Sequence, residues 1–312
     1  SPTGNTDDKP APTVGAVVFT TSPTDQVVAT AVPVQVRVDA TTGQPMANQA
    51  VTFTSSAGTV SPASGTTDAS GLVSASWTLG TAAGTQTLTA AVSGKSVSAS
   101  VTARAGAAAV FEKVSGAAQI GTTGEALLQH MVVAVKDQQG NPRSGASLTV
   151  AVTAGSGSVG SASATTGSDG RASLAWTLGA ALGANALTVT HTLGTVTFSA
   201  TARAGAPTTV TAVSGAGQTA AAGTALAGPL VVEVKDRLGH LVGGAKVAFV
   251  ATVGGGKPSA DTVATGADGR AQATWTLGGT AGAQTLEARV QGAGSAAFTA
   301  TAVAGPASKL EL

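Results

Sequence analysis

The chain has 312 residues, of which only 10% are charged, and its formal net charge is +1. No basic patch indicates a nucleic-acid partner, and no apolar run reaches the roughly 18 residues that a membrane helix needs. The chain contains no cysteine, which excludes disulfides, thiolate metal sites and a cysteine nucleophile. Hydrophobic residues make up 43% of the chain and are regularly patterned, which indicates a folded protein.

The chain begins with polar, proline-containing residues 1–13, which we interpret as an N-terminal arm. A first strand is predicted at AVVFTT, residues 16–21. Val34, Val36 and Val38 then alternate with polar residues. Alternation with a period of two is typical of a half-buried antiparallel strand.

One strand sequence occurs three times, as GLVSASWTLG, GRASLAWTLG and GRAQATWTLG. Its tryptophans are Trp77, Trp176 and Trp275, each 99 residues after the one before. A repeat of this length indicates an array of domains rather than a solenoid of small units. The alternation places every tryptophan on the apolar face, so we expect the three tryptophans to be core anchors.

The predicted divisions follow from this repeat: an arm at 1–13, domain 1 at 14–104, domain 2 at 105–203, domain 3 at 204–304 and a C-terminal strand at 305–312. The joints at Gly106 and Gly205 contain no tract long enough to act as a flexible linker. We therefore expect stiff joints and an extended rod.

The C-terminal strand is aligned on its glycine with the starts of domains 2 and 3. By this alignment Leu310 is equivalent to Val110 and Val210. One interpretation is a piece cut from a longer array. The other is a strand that completes a sheet on another copy of the chain, which would build an open filament. The second interpretation assigns polymerisation to Lys309, Leu310, Glu311 and Leu312.

The segment VAVKDQQGNP at 133–142, followed by Gly145 and the turn TTGSDG, resembles bacterial Ig-like domains of the invasin/intimin type. The resemblance covers all three repeats. It is weaker in domain 1, where Asp39 lies one residue earlier, and in domain 3, where His240 and Leu241 replace Asn-Pro. It implies Greek-key β-sandwiches in secreted or surface-anchored bacterial proteins, commonly as stalks, and it transfers no catalytic residue. The predicted fold is therefore all-β, with three tandem Ig-like domains.

Two motifs could suggest ligands. GSGSVG at 155–160 matches a dinucleotide-binding pattern, but no helix follows, so we predict a hairpin loop. The histidines His130, His191 and His240 fall at unrelated positions and do not predict a metal site.

Acidic residues recur at turns, where we expect them to accept hydrogen bonds from turn amides. Calcium at the domain joints is the alternative, although no dense acidic cluster supports it. The residues are Asp39, Asp68, Asp137, Asp169, Asp236 and Asp268.

No nucleophile lies in a recognisable catalytic motif, and we predict that the chain is not an enzyme and needs no cofactor. The predicted function is an extracellular structural protein of a bacterial surface, most specifically a filament subunit whose partners are further copies of itself. A monomeric adhesin stalk is the alternative. A sugar-binding array is disfavoured because the chain has no tyrosine and its tryptophans are expected inside. The sequence identifies no host or glycan ligand.

Overall fold

The computed structural model describes residues 11–305. The predicted polymerisation residues Lys309, Leu310, Glu311 and Leu312 lie outside the described residues. Between residues 11 and 305 every regular element is a β-strand, which confirms the predicted all-β class. This part of the chain also has no helix with the length and apolar character of a membrane crossing.

Residues 14–104 form two facing sheets. Their strands are β1 (Val14–Thr21), β2 (Gln26–Val27), β3 (Ala31–Ala40), β4 (Ala50–Ser55), β5 (Thr59–Ser61), β6 (Ser64–Thr66), β7 (Leu72–Thr78), β8 (Gly84–Val92) and β9 (Lys95–Arg104). One sheet has the order β1-β3-β7-β5, and the other has the order β2-β9-β8-β4-β6. Consecutive strands change sheet from β1 to β8, and β8 and β9 then pair within one sheet, as in a Greek-key sandwich.

Residues 108–203 repeat this plan. Their strands are β10 (Ala108–Ser115), β11 (Gln119–Thr122), β12 (Met131–Asp137), β13 (Ser147–Ala154), β14 (Ser158–Val159), β15 (Ser163–Thr165), β16 (Arg171–Leu174), β17 (Trp176–Thr177), β18 (Gly183–His191) and β19 (Gly194–Arg203). The sheets have the orders β10-β12-β16, β14-β17 and β11-β19-β18-β13-β15.

Residues 207–303 form the third copy. Their strands are β20 (Pro207–Ser214), β21 (Gln218–Ala221), β22 (Leu230–Asp236), β23 (Lys246–Val253), β24 (Lys257–Pro258), β25 (Thr262–Ala264), β26 (Arg270–Ala273), β27 (Trp275–Thr276), β28 (Gly282–Val290) and β29 (Gly294–Val303). The sheet orders match those of the second copy, strand for strand. Each copy has its own hydrophobic cluster. The exact domain boundaries stay a prediction.

The beginning of each copy passes from one sheet to the other. Strands β1, β10 and β20 pair antiparallel with β3, β12 and β22. The short strands that follow, β2, β11 and β21, pair in parallel with the last strands β9, β19 and β29 of the opposite sheet. The first and last segments of each copy are therefore hydrogen-bonded side by side.

The tryptophan strand is continuous only in the first copy, where β7 pairs with β3 along its whole length. In the later copies it is interrupted before the tryptophan, between β16 and β17 and between β26 and β27. The reason is the partner strand, because β12 begins at Met131 and its pairing ends opposite Leu174.

The tryptophan side chains lie inside the sandwiches despite this interruption. Trp77, Trp176 and Trp275 are 0%, 1% and 0% exposed, respectively. Trp77 Nε1 also donates a hydrogen bond to the Ala57 carbonyl over 3.0 Å. The tryptophans therefore offer no surface to a sugar.

The strand register corrects one predicted equivalence. Val210 lies opposite Val234, and its counterpart opposite Val135 is Phe111 rather than Val110. Val110 lies opposite Lys136 and is 39% exposed. By its distance from the joint glycine, Leu310 is therefore matched with Phe111 and Val210.

We predict that Trp275→Ala destabilises domain 3 by about 3–5 kcal/mol, because truncating a buried aromatic leaves a cavity. Urea unfolding should be followed by circular dichroism for the whole chain and by fluorescence for the remaining tryptophans. The circular dichroism transition should gain an early phase that fluorescence does not show. Thr274→Ala, an exposed change in the same segment, is the control. A Trp275→Ala chain that unfolds like this control would contradict the prediction.

Candidate functional site at the domain joints

The first joint is organised by a buried carboxylate. The connection between β9 and β10 spans residues 105–107, and the Gly106 amide donates a hydrogen bond of 2.8 Å to Asp137 Oδ2. Asp137 Oδ1 accepts from the amides of Gln139 and Asn141, at 2.9 and 2.8 Å. Its side chain therefore closes the turn after β12 and holds the connecting segment at the same time.

Asn141 joins this turn to domain 1. Its Nδ2 donates to the Thr81 carbonyl over 2.8 Å and to Asp137 Oδ2 over 2.9 Å. Its Oδ1 accepts from the Ala83 amide over 2.8 Å. We call these three bonds the asparagine clasp. The clasp connects two domains directly through one amide side chain.

The receiving loop, residues 79–84, is held in place by a side chain of domain 1. Gln86 is buried, and its Oε1 accepts from the Gly80 amide over 2.8 Å. Its Nε2 donates to the Ala82 carbonyl over 2.9 Å. We call this the glutamine brace. The brace bonds to the Gly80 amide and the Ala82 carbonyl, whereas the Thr81 carbonyl and the Ala83 amide bond to the clasp.

The second joint repeats the carboxylate but not the clasp. Asp236 Oδ2 accepts from the Gly205 amide over 2.8 Å, and Oδ1 accepts from the Leu238 and His240 amides over 2.9 Å each. His240 Nδ1 lies 3.1 Å from Asp236 Oδ2 and 3.4 Å from Thr123 Oγ1. Here an imidazole and a hydroxyl connect the domains.

At the end that faces the second joint, domain 2 has side chains that differ from those of domain 1 at the first joint. Thr123 donates its amide to the Arg203 carbonyl, as Val28 does to the Arg104 carbonyl in domain 1. The equivalent residue of domain 1 therefore has no hydroxyl to offer. In place of the glutamine brace stands Asn185, whose Nδ2 reaches only the Gly183 carbonyl, at 3.1 Å.

Asn185 leaves a polar atom without a partner. Its side chain is one methylene shorter than that of Gln86, and within residues 11–305 its buried Oδ1 accepts no hydrogen bond. Such an atom typically costs about 1–3 kcal/mol. Loop 178–183 is therefore not braced in the way that loop 79–84 is.

The joint carboxylates are held in their charged form. Burial raises the pKa of Asp236, but hydrogen bonds from the Gly205 amide and from the amide and imidazole of His240, with the Leu238 amide, outweigh it and lower the pKa to about 2. Burial likewise opposes the charge on Asp137, and its hydrogen bonds, first that of Asn141, lower its pKa. Ionised, each carboxylate can accept all the bonds described above.

Domain 1 has no such carboxylate at its own turn. The residue equivalent to Asp137 is Ala40. The amide of each donates a hydrogen bond to the carbonyl of the residue four positions later, which is Asn141 for Asp137 and Gln44 for Ala40. Asp39 instead forms an ion pair of 2.8 Å with Arg37. Grouping Asp39 with the joint carboxylates is therefore wrong, and its one-residue offset in the sequence is the signal of that difference.

The second set of turn acids behaves as local caps. Asp68, Asp169 and Asp268 each accept a hydrogen bond through Oδ1 from the amide two residues later. No group of three or more acidic or histidine side chains in the described part of the chain is arranged to hold a metal ion.

The remaining candidates are dispersed. The segment GSGSVG contributes β14, which pairs with β17, and no helix follows it. His130 Nδ1 lies 2.9 Å from Ser173 Oγ, and the ring of His191 lies 5.5 Å from that of Phe111. Only His240 therefore takes part in a joint. The sequence alone did not predict that Asn141 and Gln86 form hydrogen bonds at the first joint.

Solved structures of bacterial proteins share this architecture. The sequence matches no family model and no curated protein. FdeC, an Escherichia coli adhesin, is similar over 92% of this chain and 96% of its own, with 23% identity and a TM-score of 0.64. InvD of Yersinia pseudotuberculosis is similar over 89% and 95%, with 15% identity and a TM-score of 0.51. The chain has the tandem Ig-like fold of these proteins. The predicted resemblance to invasin/intimin-type domains is thus confirmed for the fold.

We predict that Asn141→Ala loosens the first joint, since the two hydrogen bonds that connect the clasp to domain 1 are lost. The cysteine-free chain allows spin labels at Ser96→Cys in domain 1 and Thr195→Cys in domain 2. Pulsed electron paramagnetic resonance should give a narrow distance distribution for the parent chain and a broad one for the variant. Gln138→Ala, at an exposed residue of the same turn, should stay narrow. Equal widths in both variants would contradict a role for the clasp.

Acid should weaken the second joint through Asp236. The hydrogen bonds lower its pKa from the ordinary value of 3.8 to about 2 in the folded chain, so its contribution to stability is present above about pH 4 and is lost as the pH falls toward 2. The loss is on the order of 2 kcal/mol. Urea unfolding at pH 5 and pH 2.5 measures it. Asp236→Asn should reduce the pH dependence, whereas exposed Asp261→Asn should retain it. An unchanged pH dependence in Asp236→Asn would refute this assignment.

Proposed function

We propose that the chain is a non-enzymatic segment of an extracellular bacterial stalk, which holds an adhesive surface at a set distance and direction. The observation that carries the proposal is the asparagine clasp, because a rigid spacer needs neighbouring domains that are bonded to each other. The similarity in fold to FdeC, which is described as an adhesin, supports a location on the cell surface.

The joints favour stiffness for an energetic reason. Two hydrogen bonds of the clasp join Asn141 to the Thr81 carbonyl and the Ala83 amide of domain 1, and the Gly106 amide of the connection donates another to Asp137. A typical hydrogen bond contributes about 0.5–1.5 kcal/mol, and those to a charged group contribute more. Several together, on a connection of three residues, restrict bending at the joint.

A strand-complemented filament is the second candidate. In its favour, Leu310 has the same distance from its joint glycine as Val210, a residue that pairs within a first strand. Against it, each described copy already has its own first strand, namely β1, β10 and β20. A donated strand would have to displace one of these or add beside it at the sheet edge.

Electron microscopy and small-angle X-ray scattering of purified chain separate the two functions. The stalk proposal expects rods on the order of 100 Å long, from strands of about eight residues in three domains, with or without residues 306–312. Long filaments that disappear on deletion of 306–312 would support the second candidate instead. Compact particles would refute the stalk. Saturable binding on a glycan array would favour the sugar-binding function.

A further inference from the structure

The end of domain 3 that contains Gly305 has the same features with which domain 1 receives the asparagine clasp. Its loop, residues 277–282, is braced by Gln284, which is 1% exposed. Gln284 Oε1 accepts from the Gly278 amide over 2.8 Å, and Nε2 donates to the Thr280 carbonyl over 2.9 Å. These bonds have the same lengths as the glutamine brace of domain 1. Domain 2, with Asn185, has no such brace.

A second position gives the same result independently. The Ala222 amide donates to the Val303 carbonyl, which makes Ala222 the counterpart of Val28 and Thr123. In the second joint the hydroxyl of Thr123 is the group of domain 2 that His240 approaches. Alanine has no hydroxyl. The far end of domain 3 therefore lacks the partner for a histidine turn and retains the one for an asparagine turn.

We propose that the loop 277–282 is a preformed docking site for another Ig-like domain whose first turn carries Asp and Asn with the spacing Asp-x-x-x-Asn. The counterparts of the Thr81 carbonyl and the Ala83 amide are the Gly279 carbonyl and the Ala281 amide. Both residues are exposed. The Asn side chain of the partner binds these two groups, and its Asp accepts from the Gly305 amide, as Asp137 does from that of Gly106.

This site selects against domain 1 of a second copy of the chain. The turn of domain 1 has Ala40 and Gln44 where the partner needs Asp and Asn. Ala40 cannot accept a hydrogen bond through its side chain, so the bond to the Gly305 amide has no acceptor. The partner is thus a domain of the type of domain 2, and head-to-tail stacking of identical chains does not satisfy the site.

The inference deepens the stalk function and rests on it, and a four-domain chain tests it. A second copy of residues 107–203 is placed directly after Gly305, in place of 306–312, so that its Asp137 and Asn141 keep their distance from the joint glycine. Spin labels at Ser295→Cys and at Thr195→Cys of the added copy report the new joint. The expected result is a distance distribution as narrow as that across the first joint.

Two substitutions test selectivity at this new joint. Gln284→Asn in domain 3, or Asn141→His in the added copy, should remove the narrow component. A chain that ends instead with an added copy of domain 1 should give a broad distribution. Circular dichroism during urea unfolding, compared with the four-domain chain without the substitution, verifies that domain 3 of the Gln284→Asn chain is folded at the measuring condition. If the Gln284→Asn chain is unfolded under that condition, a Gln284→Ala chain is measured in its place.

The outcomes separate this inference from the stalk function. A narrow first joint with a broad new joint would overturn the docking site and leave the stalk function intact. A narrow new joint that neither substitution broadens would overturn the role of Gln284 and of the asparagine turn. A broad first joint in the parent chain would refute the stalk function itself.

Discussion

Each joint depends on one buried carboxylate that accepts a hydrogen bond from the amide of the connecting glycine. Asp137 and Asp236 are 1% and 4% exposed, and a buried charge is stable only when it is fully hydrogen-bonded. The turn amides and the glycine amide meet this requirement together. The carboxylate thus couples the folding of the turn to the position of the preceding domain.

What differs between the joints is the residue four positions after the carboxylate. Asn141 has both a donor and an acceptor on one amide, which suits a loop that offers a carbonyl and an amide. His240 approaches a hydroxyl instead. The preceding domain matches each choice, with Gln86 before the first joint and Thr123 before the second. A small set of side chains therefore distinguishes joints between domains of the same fold.

The sandwich fold was predictable because alternation and the tryptophan repeat are local patterns that burial imposes on every copy. The joints were predictable only in part. Their short connections are visible in the sequence, but Asn141 bonds to residues about 60 positions earlier, and such a pairing has no local pattern. The repeated acidic residues also indicated a wrong equivalence, because Asp39 lies one position before the residue that matches Asp137. The one-residue offset of Asp39 in the sequence indicates this difference, and the strand register identifies Ala40 as the residue equivalent to Asp137.

The parallel pairing of β11 with β19 affects how a domain responds to tension. These strands lie near the two ends of the same domain, and they run in the same direction. A force that separates the two ends of the domain slides one strand along the other. It therefore loads their hydrogen bonds together in shear, instead of opening them one at a time. Each copy has such a parallel pair, so each resists the separation of its two ends through hydrogen bonds loaded in shear.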